Sequence, residues 1–151
     1  MSIAIEDFEG LFVGNHPAFL STKVMDVYGI DRLVIQPAPM DAGPGVEGMC
    51  LYVGEEGLGQ QVLSITFSLG DASDVEFYVG SSLDPADTPG LARFMNSSGQ
   101  EIGSIDLGTS LSSPVKFSHE DGVHWIEIVV NNRLRLDYFK FITKPLPDRM
   151  R

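Results

Sequence analysis

The chain is 151 residues long, the size of one domain, and at 43% hydrophobic against 21% charged it is globular in composition rather than disordered. Ten Lys and Arg against 21 Asp and Glu give a net charge of −11, which argues against nucleic acid and anionic membranes, since both are bound by neutralising phosphate. A single cysteine, Cys50, excludes a disulfide framework and a cysteine-rich zinc site.

The opening MSIAIEDFEG lacks the basic and apolar regions of a secretory signal, leaving a cytosolic chain or an excised module of a secreted protein as the two expectations. Period-two alternation predicts a strand over 2–6, and FLSTK (19–23) offers a short helical turn. Strands follow over 23–28 and 31–36. The connection PAPMDAGPGVEG (37–48), with three prolines and three glycines, is too broken for regular structure. In the apolar strand 49–53, Cys50 reads as a small buried hydrophobe rather than a nucleophile.

The strongest alternation begins at residue 61. In QVLSITFSLG, Leu63, Ile65, Phe67 and Leu69 fall on one face and Ser64, Thr66 and Ser68 on the other. In SDVEFYVG, Val75, Phe77 and Val79 alternate with Asp74, Glu76 and Tyr78. SSLDPADTPG (81–90) is a second long connection, and DPADTPGLA (84–92) could hold a short capped helix. Strands over 91–96 and 101–107 flank NSSGQ (96–100), a hairpin turn, and HEDG (119–122) reads as another after a strand at 114–118. HWIEIVV groups Ile126, Ile128 and Val130 opposite Trp125 and Glu127. NNR (131–133) then predicts a hairpin between 123–130 and 134–142.

Nine or ten strands without βαβ alternation predict an all-β fold. The expected form is an antiparallel β-sandwich of jelly-roll type filling residues 1–151, with a closed lipocalin-type barrel as the rival. Charge is uneven along it. Residues 133–151, including a basic tail at 144–151, carry a net +4, leaving −15 on the rest. That asymmetry suits a solvated tail, or a docking surface for a partner.

Catalytic motifs are missing. No G-x-S-x-G elbow or H-E-x-x-H pair occurs, no P-loop or G-x-G-x-x-G follows a strand and opens a helix, and His16, His119 and His124 have no metal-binding spacing. The expectation is a protein that is not an enzyme, although two of its many acids could meet as in a glycoside hydrolase.

Two phrases are more specific. Asp7-Phe8-Glu9-Gly10 lies near one end, and Leu136-Asp137-Tyr138-Phe139-Lys140-Phe141 near the other. With the strand rhythm after residue 60, they resemble the jelly-roll carbohydrate-binding modules and galactose-binding-like domains. That resemblance implies first and last strands lying side by side with a structural calcium beside them. Carried over by position, Glu9 and Asp137 are its carboxylate ligands and Asp7 a weaker third; Asp41 or Glu47 would join only if the 37–48 loop folds over. Solvation, or pairing with Arg133 and Arg135, is the alternative for Glu9 and Asp137.

A sugar site also needs flat rings for the C–H faces of a pyranose, and Trp125, Tyr78, Tyr52 and Tyr28 are the candidates. Trp125 and Tyr78 lie opposite their strands' aliphatic residues, which predicts that both project from one exposed, concave sheet face. The alternative makes Trp125 a core plug, and the nine phenylalanines read overwhelmingly as core. The acidic surface suits a neutral glycan. The function expected is a non-catalytic glycan-binding module. A structural or assembly protein, a homo-oligomer built through its sheet faces or basic tail, is the alternative.

Overall fold

A computed structural model describes residues 2–11, 13–16, 19–29, 33–37, 48–53, 61–80, 90–107, 114–130 and 134–143. Among these the strands in chain order are β1 (Ser2–Glu6), β2 (Gly14–His16), β3 (Phe19–Ser21), β4 (Met25–Tyr28) and β5 (Leu33–Pro37). Then come β6 (Met49–Val53), β7 (Gln61–Phe67), β8 (Ala72–Gly80) and β9 (Gly90–Met95). The last four are β10 (Glu101–Asp106), β11 (Val115–Val123), β12 (Trp125–Val130) and β13 (Leu134–Thr143). No α-helix forms among the described residues. The helical turn expected in FLSTK is instead β3 and the tight turn after it. Of DPADTPGLA, residues 84–89 lie outside the described residues and the rest opens β9.

The strands form two antiparallel sheets, as the alternation predicted. One has seven strands, ordered β11-β8-β13-β6-β5-β2, with β1 also on β13; the other has six, ordered β10-β9-β12-β7-β4-β3. The chain crosses repeatedly from one sheet to the other, the jelly-roll habit. The inner face of each strand is the apolar half of its alternation. In β7, Leu63, Ile65 and Phe67 are buried; in β8, Val75, Phe77 and Val79; in β12, Ile126, Ile128 and Val130. Leu69, placed with the first set by its phase, falls beyond the end of β7 and is exposed. Aromatic rings bridge the sheets: Phe67 meets Phe141 at 4.5 Å between centroids, and Phe94 stacks on Phe117 at 4.1 Å. The backbone of β10 lies so close over Phe117 that a Cβ on Gly103 would collide with its ring.

Two predicted turns are corrected. The NSSGQ hairpin joins β9 to β10 as expected, with Asn96 Oδ1 accepting the N–H groups of Ser98 and Gln100. HEDG, however, is no hairpin. β11 runs through it, and a bulge between Ser118 and Val123 absorbs its polar residues while both flanks stay paired to β8. Nor do 123–130 and 134–142 pair. β12 lies between β7 and β9 in the six-stranded sheet, whereas β13 lies in the other. Both strands carry one apolar face, and a connection as short as 131–133 can serve a crossing between sheets as well as a hairpin. Alternation cannot distinguish the two.

β13 organises the seven-stranded sheet. β8 pairs along one side of it; on the other side β6 takes 134–136 and β1 takes 139–143. The first and last strands are therefore neighbours, as the resemblance implied. Between those two partners β13 bulges, and Tyr138 adopts φ +53°, a left-handed conformation rare outside glycine.

Candidate functional site

The bulge lies between the stretches of β13 that pair with β6 and with β1, and it carries Asp137; Glu9 belongs to the turn that follows β1. Glu9, in the turn after β1, accepts the Met49 N–H at 2.8 Å through Oε1. Gly48 makes that approach feasible. Its φ is +62°, and a Cβ there would strike the Glu9 carboxylate. Asp137 is buried, 2% exposed, and its Oδ1 accepts the Tyr138 N–H at 2.7 Å. Both acids act on one neighbour. The Cys50 thiol is pushed up to about 11, chiefly by burial, then by the Asp137 charge, with Arg135 opposing and Glu9 adding. Cys50 is thus the small buried residue that its apolar strand predicted. Asp7 does not join the pair: its Oδ1 accepts the Glu9 N–H at 3.2 Å, and it faces a hollow with Ile5 and Lys23. Among the described residues no three His, Cys, Asp or Glu side chains group closely enough to hold a metal. Asp41, Glu47 and Arg133 lie outside the described residues.

The two predicted rings lie on opposite sides of the sandwich. Tyr78 projects outward from β8 in the seven-stranded sheet, edge-on to Tyr138 at 6.4 Å. Trp125 projects outward from β12 in the six-stranded sheet. Alternation correctly placed each ring on the outer side of its strand and carried no information about which sheet the strand joins. A single platform made of Trp125 and Tyr78 is therefore excluded. So is the core plug, because Trp125 is only half-buried and its Nε1–H reaches Glu127 Oε1 at 3.4 Å.

What surrounds Trp125 is set by register. Across the six-stranded sheet, Trp125 lies level with Met95 on one side and with Thr66, Asp26 and Ser21 in turn on the other. The next outward row holds Arg93, Glu127, Ser64, Tyr28 and Phe19. Tyr28 and Phe19 are both exposed, their rings 4.8 Å apart. Arg93 is bound to Glu101 at 3.5 Å, and Ser21 Oγ donates to Asp26 Oδ1 at 2.7 Å. This outer face therefore presents rings at two places with hydroxyls and carboxylates between them. Phe19 is the member that sequence reasoning missed, because phenylalanine reads overwhelmingly as a core residue. The available signal was local: in the three-residue β3 only Leu20 turns inward, which obliges Phe19 to turn out.

Beside this face, His124 Nδ1 lies 2.7 Å from Asp71 Oδ1, and its ring stands edge-on to Trp125 at 5.8 Å. His119 stacks parallel to Phe117 at 6.3 Å between centroids.

No family model matches the chain, and no curated protein is similar to it. Among solved structures it is similar to a family 29 carbohydrate-binding module from Piromyces equi. The two share 13% identity over 98% of this chain and 95% of that one, with a TM-score of 0.47.

Proposed function

We propose that the protein is a non-catalytic module that binds a neutral glycan on the outer face of its six-stranded sheet. The observation that carries this reading is the outward, half-buried Trp125, in register with Thr66, Asp26 and Ser21 and sharing its face with the exposed Phe19–Tyr28 pair. Sugars offer apolar C–H faces ringed by hydroxyls. Flat rings take the first; carboxylates and hydroxyls take the second. Asp26, Glu101, Asp106 and Glu127 outnumber Arg93 on this face, so an anionic glycan meets like charge. Affinity is modest, because an open face buries only part of each sugar. Electrophoresis through gels containing a neutral polysaccharide tests the reading. The wild type is retarded and Trp125→Ala is not, while the variant keeps its melting temperature to within a few degrees. Equal retardation of the two would refute it.

A calcium ion held by Glu9 and Asp137 belongs to the same proposal. Its support is that both acids raise the buried Cys50 thiol through their charge and that each accepts one backbone N–H. Calcium takes six to eight oxygens, so backbone carbonyls would have to join the two carboxylates to complete the shell. A calcium held only by the native state adds about 2.7 kcal/mol at a free concentration about 100-fold above Kd. Chelator should then lower the melting temperature, and calcium but not magnesium should restore it. No change in metal-stripped protein would reject the site.

One observation favours assembly as the second reading. Ile3 and Ile5 are 62% and 45% exposed on β1, with Ile142 beside Ile3 in register. Sedimentation distinguishes the two readings: a stable dimer that Ile3→Ser disperses supports assembly, and a monomer at all concentrations removes it.

A further inference from the structure

At one end of the sandwich, where β1 runs into the turn at 7–10, the two sheets part around an open hollow of about 540 Å³. That is the size of a small-molecule site. Leu11 and Val24 pack against the core and give it an apolar floor. Glu6 and Asp7 line it from the seven-stranded side, Ser21 and Lys23 from the six-stranded side.

These polar groups are held in place before any ligand arrives. Glu6 Oε2 accepts the Phe8 N–H at 2.9 Å and Asp7 Oδ1 the Glu9 N–H at 3.2 Å, which fixes each carboxylate and leaves it a second oxygen. The turn that carries Lys23 is closed by Thr22. Its Oγ1 accepts the N–H groups of Val24 and Met25 at 3.2 and 3.1 Å, and its own N–H donates to Met25 O at 2.9 Å. The result is two fixed acceptors and an exposed ammonium above an apolar floor. That set matches the hydroxyl edge and C–H face of a single sugar ring, and its preorganisation lowers the entropy cost of binding one.

The hollow is continuous with the face already described. Ser21 lines it, and Ser21 ends the row that runs from Trp125 through Thr66 and Asp26. That row crosses three strand spacings, about 14 Å. We propose that the hollow is an end subsite: the glycan lies across the strands along this row, and its terminal residue enters the hollow against Glu6, Asp7 and Lys23. The inference rests on the glycan reading and adds to it a direction and a preference for chain ends.

Calorimetric titration with soluble β-1,4-linked oligosaccharides of glucose, mannose and xylose, from disaccharide to hexasaccharide, tests it. Lys23→Ala and Asp7→Asn are the variants. Lys23 is exposed, and Asn keeps an oxygen for the Glu9 N–H, so both should melt as the wild type does. Wild-type affinity should rise with length until the hollow is reached. Both variants should lose about tenfold on the long oligosaccharides and little on the short ones, the size expected for a hydrogen bond to a charged group. Trp125→Ala should lose binding at every length. If Trp125→Ala loses binding while the hollow variants match the wild type throughout, the end subsite is wrong and the glycan reading stands. If the wild type binds none of these oligosaccharides, the glycan reading fails for this class and takes the subsite with it.

Discussion

The two outer faces of this sandwich rest on similar inner faces and yet differ in kind. Outside the six-stranded sheet, Trp125, Tyr28 and Phe19 are interleaved with Thr66, Asp26, Ser64 and Glu127. Outside the seven-stranded sheet, Lys116, Glu76 and Lys140 form a row of alternating charge that ends at exposed Ile5, and the rings there, Tyr78 and Tyr138, lie apart from that row. Opposite charges directly across strands stabilise a sheet and occupy one another's hydrogen-bonding capacity. Rings beside hydroxyls leave capacity for a ligand. An inner face has to be apolar whichever sheet it belongs to, so its pattern reports the fold. The outer face is free of that demand, and the contrast between the two is where function is written.

The largest expected effect lies inside and should touch neither outer face selectively. Phe139 is fully buried, stacked on Phe77 at 4.8 Å and edge-on to Phe8 at 6.2 Å. Phe139→Ala should cost about 3–5 kcal/mol in urea unfolding. A loss under about 1 kcal/mol would mean that the packing around the β13 bulge is misplaced.

A smaller effect belongs to the edge of the proposed binding face. Asn96, 8% exposed, closes the β9–β10 hairpin through two backbone N–H groups. Asn96→Ala leaves both without that acceptor and should cost about 1–3 kcal/mol, with glycan retention weakened less than by Trp125→Ala. Retention lost entirely in a still-folded variant would move the site toward that hairpin and away from the Trp125 row.

The smallest effect comes from beneath the other face. The native Cys50 thiol titrates at about 11, above its ordinary 9.0, so burial favours the neutral form. Between those values the unfolded chain holds fewer protons than the native one, and stability should fall as pH rises from about 9 to 11. Cys50→Ala should lack that component of the alkaline decline. The native thiol should also resist alkylation at neutral pH. Rapid labelling in folded protein would contradict its burial.

The comparison also shows what the sequence made legible. Alternation in QVLSITF, SDVEFYV and WIEIVV identified the inner residues because period two is a direct consequence of strand geometry. It placed Trp125 and Tyr78 outward for the same reason. Sheet membership was not legible, since it depends on whether a short connection such as 131–133 reverses within a sheet or crosses between them. That one ambiguity misplaced the β12–β13 hairpin and joined Trp125 to Tyr78. β2 and β3, three residues each, were too short to show a period. The terminal phrases named Glu9 and Asp137 together, and both charges bear on the Cys50 thiol, whereas Asp7 lines the hollow beside the turn at 7–10.

Trp125 is the only tryptophan in the chain, so its fluorescence reports on the proposed platform without interference from any other. Titrating the protein with a neutral polysaccharide that retards it in gels should shift or quench that emission saturably, with the midpoint matching the gel affinity. Tyr78→Ala, on the opposite face, should give the same curve. Emission that stays constant while the polysaccharide binds, or a Tyr78→Ala variant that no longer binds, would contradict the assignment of the glycan to the six-stranded sheet.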